Sequence, residues 1–122
     1  MKRILSAAIL TLILAGSASG LSDKEYTRMM KTSKAFREAD EFMNECYKEC
    51  RQTLPRSDFK RVAEEQREWL ASGRDETAQD FIDDGMKRAD AYAKVTEMRA
   101  HELHHFCVTY RNANFTDEDY ED

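Results

Sequence analysis

The chain has 122 residues and 41% hydrophobic side chains, with 24 Asp+Glu against 19 Lys+Arg and a net charge of −5. That length allows one domain. The acidic balance argues against a nucleic-acid partner, because phosphate contacts need clustered Lys and Arg.

Lys2 and Arg3 precede an apolar run over residues 4–15, which ends in Gly16-Ser17-Ala18-Ser19-Gly20. A charged start, a short apolar centre and small residues make the pattern of a secretory signal peptide, cleaved here after Ser19 or Gly20. The run is shorter than the roughly 20 apolar residues of a membrane span, so no membrane attachment is expected after cleavage. The leader looks bacterial, which places the product in the periplasm or outside the cell. Loss of Lys2 and Arg3 leaves 17 basic residues against 24 acidic ones, a net charge of −7. The expected organisation is a leader at 1–20, a helical domain at 21–111 and an acidic, disordered tail at 112–122.

Ser22 is a good N-cap, with Asp23 and Glu25 in the first turn. Neither Gly nor Pro interrupts the chain from there to Thr53, although a helix of that length should fray or kink near 31–34. Phe36, Ala39, Met43, Cys46 and Cys50 recur in steps of three and four, which puts them on one stripe. Pro55 is the only proline; it ends this helix near Thr53. A second helix follows, with Ser57 as its expected N-cap and Phe59, Val62, Gln66, Trp69 and Leu70 on its stripe. Gly73 reads as a weak point inside a continuing helix, and Gly85 as its stop. The last helix spans 86–110, with Ala89, Tyr92, Thr96, Arg99 or Ala100, Leu103 and Cys107 on one face. No segment alternates with period two. The expectation is an all-α, three- to four-helix, up-down-up bundle.

Turning one hairpin near residue 55 and another near Gly85 brings Cys107 level with Cys46 and Cys50. Those two lie one helical turn apart, with Cβ atoms roughly 5–6 Å from each other, whereas a disulfide wants about 3.8 Å. Export permits disulfides. The expected bond therefore joins Cys107 to Cys50 or Cys46, and leaves the third cysteine inert or free to link two copies of the chain. Asp40, Asn44, Gln66 and Arg99 fall on or beside the apolar stripes, where unpaired polar groups are costly. A cross-helix network is expected, with Asp40 on Arg99 or Arg74 and Asn44 on Gln66. Trp69 reads as a core anchor.

Ala39-Asp40, Met43-Asn44 and Tyr47, then Glu65-Gln66-Arg67, Trp69-Leu70 and Gly73-Arg74-Asp75, and later Thr96, Arg99 and Leu103 follow one another at set spacings. In that order they resemble the N-terminal domain of LprI-type lysozyme inhibitors, over residues 36–103. The resemblance implies a small exported helical domain and, for the members that name the family, binding and inhibition of lysozyme. It marks Asp40, Asn44, Tyr47, Gln66, Trp69, Arg74 and Arg99 as motif residues. Family members often carry a cysteine ahead of the Ala-Asp pair and another shortly after the Arg-Asp pair. This chain has neither, so its disulfide pattern differs.

His101-Glu102-Leu103-His104-His105 matches the zinc-protease pattern of two histidines four apart with a glutamate between them. His101 and His105 are therefore the metal candidates, weighed against an exposed helix surface, which is the reading adopted. No metal, cofactor or catalytic residue is assigned. The function read from the sequence is a non-enzymatic binding protein whose partner is a basic cell-wall hydrolase such as lysozyme. The alternatives are an envelope interaction or stress module with another protein partner, and a metal-binding protein.

Overall fold

The computed structural model describes residues 20–121, so the expected leader lies outside the described residues apart from Gly20. The described residues form helices and no strand: α1 Asp23–Thr32, α2 Lys34–Thr53, α3 Arg56–Glu68, α4 Arg74–Asp83 and α5 Arg88–Glu121. A π-helical turn, Trp69–Gly73, joins α3 to α4 without a break. The result is four helical rods, α1, α2, α3–α4 and α5, in an all-α bundle.

Each boundary has a local cause. Ser22 caps α1 by accepting from the Glu25 N–H at 3.1 Å. Ser33 is extended, with φ −114° and ψ 108°. Its N–H closes α1 on the Met29 carbonyl, and its hydroxyl opens α2 by accepting from the Phe36 N–H at 3.1 Å. The long first helix is thus two helices, and α1 folds back along α2. Leu54 is extended, as a residue before proline should be. The N-cap of α3 is Pro55, which offers no side-chain cap, and Ser57 lies inside the first turn instead of capping it. The fixed φ of proline sets the helix entrance two residues earlier than a cap at Ser57 would.

Gly85 has φ +106°. The Gly85 N–H bonds the Ile82 carbonyl and the Met86 N–H bonds the Phe81 carbonyl. This is the paired closure of a helix ending in a left-handed residue. After it, α5 starts at Arg88 and its backbone stays helical to Glu121, over the stretch where a tail was expected from residue 112. No Gly or Pro follows Gly85 to interrupt it.

The π turn explains how one face of α3–α4 stays buried over its length. Val62, Gln66, Arg74 and Ala78 are buried and separated by multiples of four. In a regular helix that spacing drifts round the axis by roughly 40° every four residues. The wider turn absorbs the drift and keeps Arg74 and Ala78 aimed at α5.

The closest packing is between α2 and α5, which run parallel, with α3–α4 antiparallel to both. Two apolar clusters fill the bundle. One holds Leu21, Met29, Phe36, Ala78, Ala91, Tyr92, Ala93 and Val95. The other holds Met43, Cys46, Cys50, Leu54, Val62, Ala100, Leu103 and Cys107. Trp69 is half-buried and packs against both, so it serves as the expected anchor from a position between the clusters.

A Cβ added at Gly85 would meet nothing within 4 Å, so any cost there is a backbone cost. Gly85→Ala should lower stability by about 1–2 kcal/mol. Urea unfolding midpoints measure it, and an unchanged midpoint would show that the loop does not need the left-handed geometry.

Candidate functional site

Three features could carry function: a polar seam inside the bundle, the cysteine and histidine residues of α2 and α5, and the open groove between those helices. The seam holds most of the motif residues.

Asp40 is 6% exposed and accepts from the Tyr26 hydroxyl at 2.8 Å and from Asn44 Nδ2 at 3.3 Å. Burial pushes its carboxyl above the ordinary value, while Tyr26, the Arg74 charge and Asn44 pull it back. Arg74 is therefore its charged neighbour, as expected, but Arg99 is not its partner. Asn44 is exposed and turns back onto Asp40; it does not cross to Gln66. Gln66 instead receives Arg99 Nε at 2.7 Å on Oε1, and its Nε2 faces Met43 Sδ at 3.5 Å. The outer side of Arg99 pairs with Glu102 at 3.0 Å.

Arg74 is as confined as Asp40, at 6% exposure. Its guanidinium lies 6.0 Å from the Trp69 ring and 5.9 Å from the Tyr92 ring, within reach of both π faces. Its Nε stands 3.8 Å from Asp75 Oδ1. Asp75 in turn accepts from the Tyr92 hydroxyl at 2.7 Å and from the Leu21 N–H at 3.2 Å. Burial, and then the Asp75 carboxylate, raise the Tyr92 phenol well above its ordinary range. Three buried polar atoms have no hydrogen-bond partner among the described residues: Arg74 Nε, Asp75 Oδ2 and Arg99 Nη2. Tyr47 lies apart from the seam, its ring 5.2 Å from that of Phe59.

The sequence reading missed Tyr26, Tyr92 and Asp75 as members of this seam, and also the ion pair of Glu25 with Arg88. The latter is two-pronged, Arg88 Nε and Nη2 each meeting one carboxylate oxygen. The Arg88 guanidinium holds the Glu25 carboxyl below its ordinary range. The presence of Tyr26, Asp75 and Arg88 on polar or mixed faces gave little signal, since their partners lie across the bundle.

Cys46, Cys50 and Cys107 are all buried, and Cys107 Sγ lies 2.6 Å from Cys50 Sγ. Burial pushes the Cys46 thiol up to about 11 and the Cys50 thiol further. His101, His104 and His105 are exposed. The His101 and Phe42 rings pack edge to face with centroids 5.2 Å apart, His104 Nδ1 meets Glu49 Oε1 at 3.3 Å, and His105 Nε2 meets Thr109 Oγ1 at 3.3 Å. Among the described residues no group of three or more His, Cys, Asp or Glu is placed to hold a metal ion.

The groove between α2 and α5 encloses about 550 Å³ and is lined by Ala35, Glu38, Ala39, Phe42, Met86, Asp90, Ala93, Lys94 and Glu97. Three carboxylates thus line the groove over an apolar floor, while the Lys94 amine lies 5.7 Å from the centre of the Phe81 ring. A second hollow of about 550 Å³ adjoins it across Phe42, with Glu45, Lys48 and Glu49 on its rim.

Asp40 and Glu25 should respond to pH with opposite signs. Glu25 is more acidic in the folded chain than its ordinary 4.5, so its contribution is present above that value and is lost as pH falls through the lowered one. Asp40 is less acidic than its ordinary 3.8, so its contribution is complete below that value and is lost as pH rises through the raised one. Glu25→Gln should therefore cost about 1 kcal/mol near neutral pH, with the deficit shrinking in acid. Asp40→Asn should do the reverse, its deficit growing as pH falls. Urea midpoints across the acid range test both, and parallel trends would contradict the assignment.

Neither a comparison with curated proteins nor one with solved structures finds a match. A family model does match, described as lysozyme inhibitor LprI, over residues 19–103. That span includes every member of the polar seam. The chain belongs to the LprI lysozyme inhibitor family.

Proposed function

We propose that this chain is an exported, non-enzymatic binding protein that blocks a basic cell-wall hydrolase of the lysozyme type. The observation that carries the reading is the family match over residues 19–103. The groove between α2 and α5 supports it. Glu38, Asp90 and Glu97 line it together with Phe42, which suits an arginine or lysine of the partner. Its aliphatic stem would lie on the ring and its charged head among the carboxylates. The net charge of −7 expected without the leader favours encounter with a basic protein.

The test mixes the leaderless chain with lysozyme and follows lysis of cell walls. Lysis should slow in proportion to added chain, and less so at high salt. Glu38→Lys with Glu97→Lys should weaken inhibition by about tenfold or more, with the helical circular dichroism spectrum unchanged. Equal inhibition by that variant would remove the groove but not the inhibitor. Undiminished lysis at high molar excess of the unaltered chain would remove lysozyme as the target. An envelope module with a different protein partner would then be the reading.

A further inference from the structure

Three thiols share one layer of the bundle, and the binding groove uses none of their chemistry. We infer that Cys50 and Cys107 form a disulfide that fastens α2 to α5, and that Cys46 remains a thiol. Cys50 and Cys107 are each 0% exposed, 57 positions apart in sequence and in sulfur-to-sulfur contact. They sit among Val62, Leu103 and Ala100, on the two rods that pack most closely. Cys46 lies one turn before Cys50 on the same helix, and neighbours at that spacing hold their Cβ atoms too far apart for a bond.

Closing the bond removes one proton from each thiol and two electrons from the pair. A disulfide-bearing oxidant, small or protein, takes up the electrons and is reduced to two thiols by exchange. Compartments outside the cytoplasm supply such oxidants, so in the cell the bond rests on the exported reading. Exchange needs a thiolate, and burial disfavours it at both Cys46 and Cys50. The bond therefore forms while α5 is still loose, and the near-complete burial of Cys46 at the floor of the second hollow then disfavours its thiolate and further exchange.

The test refolds the reduced, leaderless chain in a glutathione redox buffer, so that a failure of export would not decide it. The product is unfolded without reductant, alkylated and mapped by mass spectrometry. The expected result is alkylation at Cys46 alone and a linked peptide pair carrying Cys50 and Cys107, two hydrogens lighter than the separate peptides. Cys46→Ala should give the same linked pair and no alkylation. Reductant should lower the Tm of both, and leave that of Cys107→Ala unmoved. Three alkylated cysteines, a bond using Cys46, or a bond between two chains would each overturn the inference. If Cys107→Ala does not fold, the mapping of Cys46→Ala decides alone.

A separate observation concerns the mature N-terminus. Leu21 is 3% exposed, and its nitrogen already donates to Asp75 Oδ1, while Oδ2 of that buried carboxylate has no partner among the described residues. Ala18 and Gly20 supply the small residues that signal cleavage after position 20 requires. We infer that cleavage falls there, and that the new Leu21 ammonium docks on Asp75, adding charge and two further donors to a carboxylate built into the core. N-terminal sequencing of the exported chain should begin at Leu21. A chain made to begin at Leu21 should melt at a higher temperature than one beginning at Gly20, and Asp75→Asn should abolish the difference. A start at Ser19 or Gly20, or equal melting temperatures in the Asp75 pair, would overturn it.

Discussion

The bundle depends on the burial of Arg74. A guanidinium so confined is tolerable only if the surrounding rods all supply something to it. The π turn aims it inward, and Trp69 and Tyr92 flank its plane. Asp75 and Asp40 answer its charge. Those partners in turn recruit Tyr26 from α1 and the Leu21 backbone. An apolar seam between helices can slide or rotate with little loss. This one cannot, because any slip leaves a buried charge without its neighbours, and breaking such a group typically costs about 3–5 kcal/mol. The seam therefore sets the height and rotation of all four rods, and the apolar clusters fill in around that setting.

The parts of this arrangement that were legible in the sequence are those with strictly local causes. Ser22, Pro55 and Gly85 each act through their own backbone or the next turn, and the helix limits they imply are the ones observed. The stripes of α2 and α5 follow from spacing alone. The pairing of polar residues was less legible. Height along a rod can be counted from the turns, which is why Cys107 falls level with Cys50. Rotation about the axis cannot be counted that way, because it is set by how each rod packs on its neighbours. Asn44, Gln66 and Arg99 therefore stand at the expected level with other partners, and of the two arginines expected beside Asp40 only Arg74 is there. Tyr26 was missed because α1 was read as the start of α2. The extended conformation of Ser33 reverses the chain and lays Tyr26 back against Asp40 and Phe36.

The seam also bears on what family membership can carry over. Asp40, Gln66, Arg74 and Arg99, which carry much of the resemblance, are turned inward and bound to one another or to neighbouring rods. They hold the scaffold; a partner approaching from solvent would meet Glu38, Phe42, Asp90 and Glu97 instead. Sequence likeness concentrated in the interior thus fixes the fold closely and the target loosely. It preserves the parallel setting of α2 against α5, and so preserves a groove. The charges on the groove's rim can change without disturbing anything beneath them, because only the helix surface holds them. On the proposed reading, recognition of a basic hydrolase is then a property of a few exposed carboxylates on a rigid frame. Charge reversal at the rim separates the two levels, since it alters the partner's reception and leaves the buried arginine and its neighbours as they were.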